Sequence, residues 1–180
     1  VQLSGTTTDD IRELGGRISG AEFCFPAKVA LGHTAALAPR EGVDFIFVPQ
    51  LAGEAPNEHT TAATFCPYVQ GLPSYATAAL ALNGMETARI IAPVIDMRAD
   101  EKVIVRGLQA SLRGRLRRTR HEIRRAWREG LAVQREFYRA CRDEGRKAVE
   151  EARAKGEKLL VLIGRPYNLY DTGVNLDLPR

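Results

Sequence analysis

Two cysteines in this chain occupy matching settings. Cys24 follows Phe23 and stands two residues before Pro26; Cys66 follows Phe65 and directly precedes Pro67. A run of small residues with helical spacing comes after each proline. Proline costs a helix nothing in its first turn, where the missing N–H would have no partner anyway. Each cysteine is therefore expected on a loop at or just before a helix N-terminus. There the unpaired amides and the helix dipole favour thiolate over thiol. Two such thiolates could be halves of one metal site or of a dithiol redox pair. They could equally be two core cysteines with similar neighbours, and the residue types leave all three readings open.

Metal chemistry narrows by spacing. The close-set CxxC and HExxH patterns of zinc sites are absent. His33 and His59 could complete a site, but His33 falls more than two helical turns beyond Cys24. A lone histidine is more often a hydrogen-bonded structural residue. Iron–sulfur clusters accept widely separated cysteines from different loops. The third cysteine, Cys141, lies on an apolar helical seam between Phe137 and Ala148, where packing is the ordinary role. Two cysteines then remain, so a cluster would need further ligands from elsewhere.

A second stretch with chemical potential lies near the C-terminus. Residues 158–164, KLLVLIG, read as a buried strand, and Arg165, Asn168, Asp171 and Asn175 follow in a polar loop. A loop after the carboxyl end of a strand is the usual ligand position in an open α/β sheet. Gly164, Asn168 and Gly173 fit a plain tight turn equally well. Neither a GxGxxG nor a Walker A pattern is present.

The elements that would position these residues alternate between strand and helix. Thr8 is placed to cap a short helix ending at Leu14, with Gly15 and Gly16 as its stop. A strand over 17–23 would lead to Cys24, and helices are expected over 26–38 and 68–82, the second broken near Pro73. Strands are expected over 43–49 and 88–95, a short one over 62–65, and a loop over 51–61. A helix over 99–112 precedes a break at Gly114. A long helix then carries an apolar seam through Leu116, Ile123, Trp127, Val133, Phe137, Cys141 and Ala148. This order implies an α/β fold: a mostly parallel, Rossmann-like sheet with helices on both faces, plus one long helix. Residues 1–112 would form a lobe carrying both cysteines, 113–156 a basic amphipathic helix, and 157–180 the start of a second α/β lobe. On this reading the chain, which begins at Val1 and stops in the loop, is a fragment of a larger protein.

The 180 residues are 44% hydrophobic and 27% charged, ordinary for a globular domain. No apolar run is long enough to cross a bilayer. Three cysteines make no disulfide framework, which points to the cytoplasm. The net charge of +4 gathers its arginines between Arg113 and Arg153, but glutamates interleave throughout. That pattern suits a solvated helix laced with i,i+4 pairs better than a phosphate track, so nucleic acid is disfavoured as a partner.

Three segments carry a family resemblance: EFCFPAKVALGH over 22–33, CPYVQG over 66–71 and IGRPYNLYDTGVN over 163–175. Together they resemble the activator-related proteins of the 2-hydroxyacyl-CoA dehydratase system. Relatives there include dehydratase and benzoyl-CoA reductase subunits and double-cubane cluster proteins. The resemblance implies a low-potential [4Fe–4S] cluster with Cys24 and Cys66 as ligands and a third cysteine beyond Arg180. It also implies a role in ATP-dependent electron transfer. Lys28, one turn past Cys24, could balance cluster charge or meet an acyl-CoA phosphate, and His33, Arg165, Asn168 and Asn175 join it as possible ligand-binding residues. The implied partners are an activase ATPase domain in the same or another chain, an acyl-CoA dehydratase or reductase, and a second copy in a homodimer. No ATP site is visible in this chain, which alone is not expected to be catalytic. The competing reading is a non-metal α/β ligand-binding or interaction domain with structural cysteines.

Overall fold

A computed structural model of the chain describes residues 2–56 and 63–177. Helix α1 (Asp9–Ile18) begins at the Thr8 N-cap, whose hydroxyl accepts from the Ile11 amide. It does not stop at Gly15–Gly16 but runs on to Ile18. Gly15 serves packing rather than termination. A Cβ on Gly15 would lie 1.9 Å from the Lys28 carbonyl oxygen, and one on Gly32 would lie 2.0 Å from that of Ile11. Helix α2 (Phe25–Leu37) therefore crosses α1 backbone against backbone. Because α1 extends to Ile18, Cys24 is reached from a short loop and not from the expected strand.

Two extended stretches run parallel. Strands β1 (Ile46–Phe47) and β2 (Gln50–Glu54) pair with β4 (Ile90–Ile91) and β5 (Val94–Asp96). Pro49 does not interrupt the pairing, because the donors to the neighbour alternate. The amides of Ile46, Val48 and Gln50 reach the carbonyls of Arg89, Ile91 and Pro93, each at 2.9 Å. The proline nitrogen falls on the opposite edge, where no donor is required. Strand β3 (Ala63–Thr64) adds antiparallel to β2, which itself forms in a segment expected to be loop. The architecture is thus mixed α/β. Its sheets are small and only partly parallel, so the Rossmann-like expectation is not confirmed.

Helix α3 (Pro67–Leu82) continues through Pro73 and packs on α2 and β2. One core joins α1, α2 and α3 to the strands through Ile18, Leu31, Ala35, Ile46, Val48, Ala76, Leu80 and Ile90. A second joins Ile95 to Ile104, Val105 and Leu108 of α4 (Glu101–Leu112) and to Ile123.

Helix α5 (Arg120–Lys155) opens with a reciprocal capping box between Thr119 and Glu122 and closes at Gly156, φ +67°. Arg124 and Arg128 clasp Glu101 of α4. Beyond those turns the seam lies open: Val133 and Phe137 are exposed, as is Cys141, which is therefore not a packing residue here. Its arginines pair locally, Arg125 with Glu129, Arg139 with Glu136 and Arg146 with Asp143, as expected of a solvated helix.

Residues 157–164 form no strand. Leu160 and Ile163 are 87% and 94% exposed, and among the described residues no neighbour supplies the ladder that a buried strand needs. The expected loop after it is instead two helical turns, α6 (Pro166–Tyr170) and α7 (Thr172–Asn175). Among the described residues, no helix is long and apolar enough to cross a membrane.

Candidate functional site

Cys24 and Cys66 are the N-cap residues of α2 and α3. Pro26 and Pro67 set the first turns, as their positions in the sequence dictate. Since α2 and α3 pack together, the two caps line one cavity of about 240 Å³. Its walls are largely apolar, with Val29, Ala30, Val69 and Leu72, and Tyr167, Asp171 and Val174 come from the C-terminal turns. Phe23 stacks on Tyr75 at 4.9 Å between centroids and meets Tyr68 edge-on at 5.7 Å. The Tyr75 hydroxyl donates to the Tyr68 carbonyl at 2.8 Å. Burial first, and then the nearby Cys24, Cys66 and Tyr68, hold the Tyr75 phenol protonated well above its ordinary range.

Cys66 is an activated thiol. The Tyr68 amide, foremost, holds its pKa down, joined by the Val69 amide and the Arg165 guanidinium, while partial desolvation opposes them. Neither amide makes a full capping hydrogen bond to the neutral side chain. Their effect is a field at a helix N-terminus that the thiolate would feel most. Arg165 in turn is raised by its contact with the Tyr167 hydroxyl, at 3.2 Å, and by Cys66.

His33 lines the same cavity. The Thr7 hydroxyl lies 3.0 Å from His33 Nε2 and donates to Asp171 Oδ2 at 2.6 Å. With its one proton committed to Asp171, Thr7 can only accept from His33, which fixes the Nε2–H tautomer. His33 Nδ1 then carries a lone pair, is buried, and has no hydrogen-bond partner among the described residues. Burial lowers the His33 pKa and Asp171 partly restores it, so the ring is kept neutral.

The remaining sequence candidates divide. Arg165 reaches Cys66. Lys28 pairs with Glu22 at 2.8 Å and does not line the cavity. Asn168 is exposed, and Asn175 donates to the Leu169 carbonyl at 2.8 Å, a brace within the C-terminal turns. His59 lies outside the described residues. Sequence reasoning misses Thr7, Tyr75 and Tyr167. Only the position of Thr7 next to a helix cap hints at it, and nothing in the sequence pairs residue 7 with residue 171.

An iron–sulfur cluster takes thiolate ligands. Two thiols capping helices around a shared apolar cavity suit part of that ligand set. Among the described residues, no three His, Cys, Asp or Glu side chains are grouped so as to hold a metal ion. The described residues thus do not make a complete metal site, and a cluster on these thiols would need further ligands from outside them.

Fold and site together define a mixed α/β protein with two helix-capping thiols in an apolar cleft, overlaid by a polar C-terminal segment. The family described as CoA enzyme activase uncharacterised domain (DUF2229) matches residues 1–180, and the chain belongs to that family. The activase-related resemblance carried by the three sequence segments agrees with this membership. No curated protein and no solved structure matches the chain.

Proposed function

We propose that this domain serves a CoA enzyme activase system as an iron–sulfur domain, with Cys24 and Cys66 as two ligands of a [4Fe–4S] cluster. Its task would be low-potential electron transfer driven by ATP hydrolysis in a partner domain or chain, toward an acyl-CoA dehydratase or reductase. One observation carries the reading: the two cysteines cap separate helices and line one cavity. A bound cluster would supply one-electron chemistry. The chain's own contribution is electrostatic and steric. The N-terminus of α3 and Arg165 favour the thiolate state of Cys66, and Val29, Val69, Leu72 and the stacked Phe23 and Tyr75 limit water. Three free cysteines suit a reducing compartment, and we place the protein in the cytoplasm.

The test is iron and acid-labile sulfide on the full-length protein, purified without oxygen. Cys24→Ser and Cys66→Ser should each lose bound iron, while Cys141→Ser, on the exposed face of α5, should keep it. Full iron in both of the first two variants, or none in the wild type, would sink the ligand assignment. A second reading, a cleft for a non-metal ligand, draws on the largely apolar walls of the cavity. It predicts colourless, iron-free protein with its thiols intact.

A further inference from the structure

Residues 165–175 lie against the cysteine cavity, bringing Tyr167, Asp171 and Val174 to its wall and Arg165 to Cys66. We propose that this segment is a strap over the Cys66 side of the cavity, leaving Cys66 half-buried and Cys24 exposed, and that Thr7 is the latch holding it there. Thr7 touches neither sulfur, yet three independent contacts at the N-terminus of α1 seat the strap. The Thr7 hydroxyl donates to Asp171 Oδ2 at 2.6 Å. Arg12 Nη1 donates to the Gly173 carbonyl at 2.9 Å. Gly173 itself is buried so closely on Thr7 that a Cβ there would lie 2.5 Å from the threonine methyl. On its other side the strap is tethered by residues 157–164, which have no secondary structure. With so loose a tether, the strap is held by its contacts with α1, α2 and Cys66 itself, and Thr7 and Arg12 supply those with α1. Thr7 is accordingly a positioning residue: it governs access to Cys66 and the placement of Arg165 beside it. This deepens the cysteine-site reading and rests on it only in taking Cys66 as the guarded group.

The experiment uses the full chain without iron, at about pH 10 where the thiols are ionised with or without Arg165 beside Cys66, and reads iodoacetamide alkylation of each cysteine by mass spectrometry. Cys141, exposed on α5, is the internal reference. Thr7→Val removes the hydroxyl at constant shape and should raise the Cys66-to-Cys141 rate ratio more than twofold; since half-buried Cys66 already reacts in part, the roughly tenfold expected for losing one charge-assisted hydrogen bond is the upper bound. Thr7→Ser keeps the hydroxyl and should stay near the wild-type ratio. Should Thr7→Val fail to fold, Gly173→Ala replaces it, since its methyl displaces the strap while leaving the α1–α2 contact untouched. A ratio within twofold of wild type for the hydroxyl-free variant, or for Gly173→Ala in its place, overturns the proposal. So does a Thr7→Ser ratio as high as that of Thr7→Val. Because no iron is involved, a missing cluster and a missing latch give separate results.

Discussion

Gly15 and Gly16 are neighbours on α1 with opposite predicted responses to the same substitution. A Cβ on Gly15 would come within 1.9 Å of the Lys28 carbonyl oxygen and 3.0 Å of the Gly32 nitrogen. A carbon–oxygen contact normally needs about 3.3 Å, so α1 would have to retreat from α2 by more than about 1 Å. The atoms in the way are backbone and cannot rotate aside. Overpacking of this kind costs about 1–3 kcal/mol, with the upper end apt for backbone, against a helix-propensity gain of about 1 kcal/mol on replacing glycine by alanine. Gly15→Ala should therefore lose about 2 kcal/mol, lowering Tm by roughly 4–8 °C for a chain of this size. Gly16 has nothing within 4 Å of the position that an added methyl would take. Gly16→Ala should gain about 0.5–1 kcal/mol and raise Tm by about 2 °C. Helical circular dichroism followed through thermal and urea unfolding measures both. A Gly15→Ala protein as stable as the wild type would refute the close crossing of α1 and α2.

The electrostatics of the cavity give two further expectations. The rate of Cys66 alkylation against pH should show its midpoint below the ordinary thiol value of about 8.5, and Arg165→Gln should move that midpoint part of the way up; a midpoint indifferent to Arg165 would remove the guanidinium from the site. His33 has its pKa lowered by burial in the folded state, so the unfolded chain takes up a proton first as pH falls below about 6.5. The stability held by neutral His33 is then complete above that value and lost as pH falls through the folded pKa. His33→Asn should flatten the decline of the urea midpoint between about pH 7.5 and 5.5, and an unchanged slope would count against a buried neutral imidazole.

Local rules are legible in the sequence wherever chemistry and backbone geometry coincide. The Thr8 cap, the prolines that start α2 and α3, the break at Gly114 and the matched settings of Cys24 and Cys66 can all be read from residue type and spacing. What cannot be read depends on neighbours remote in sequence. Gly15–Gly16 looks like a helix stop until α2 is known to need the space at Gly15. Residues 158–164 have every local mark of a buried strand, but a strand exists only with a partner, and none pairs with it among the described residues. Past Trp127 the seam of α5 keeps its helical period but, among the described residues, has no covering surface, so periodicity predicts a burial for Cys141 that the fold does not supply. In the cavity, Cys24 and Cys66 announce themselves by type. Thr7 does not, because its role comes entirely from Asp171.

The hydrogen bond between Thr7 and Asp171 spans 164 positions of the chain. In polymer terms it turns the polypeptide into a ring. Closing a flexible loop of that length costs about 4–5 kcal/mol in entropy, more than the roughly 1.5–3 kcal/mol that one hydrogen bond to a carboxylate returns. Closure must then wait until α1 to α5 have already shortened the effective loop, which makes it one of the last events of folding. By the same reasoning it is one of the first to reverse. The ring can open while the helical core stays intact, so the cover over half-buried Cys66 would lift in a fluctuation far cheaper than unfolding, while Cys24 stays exposed in either state.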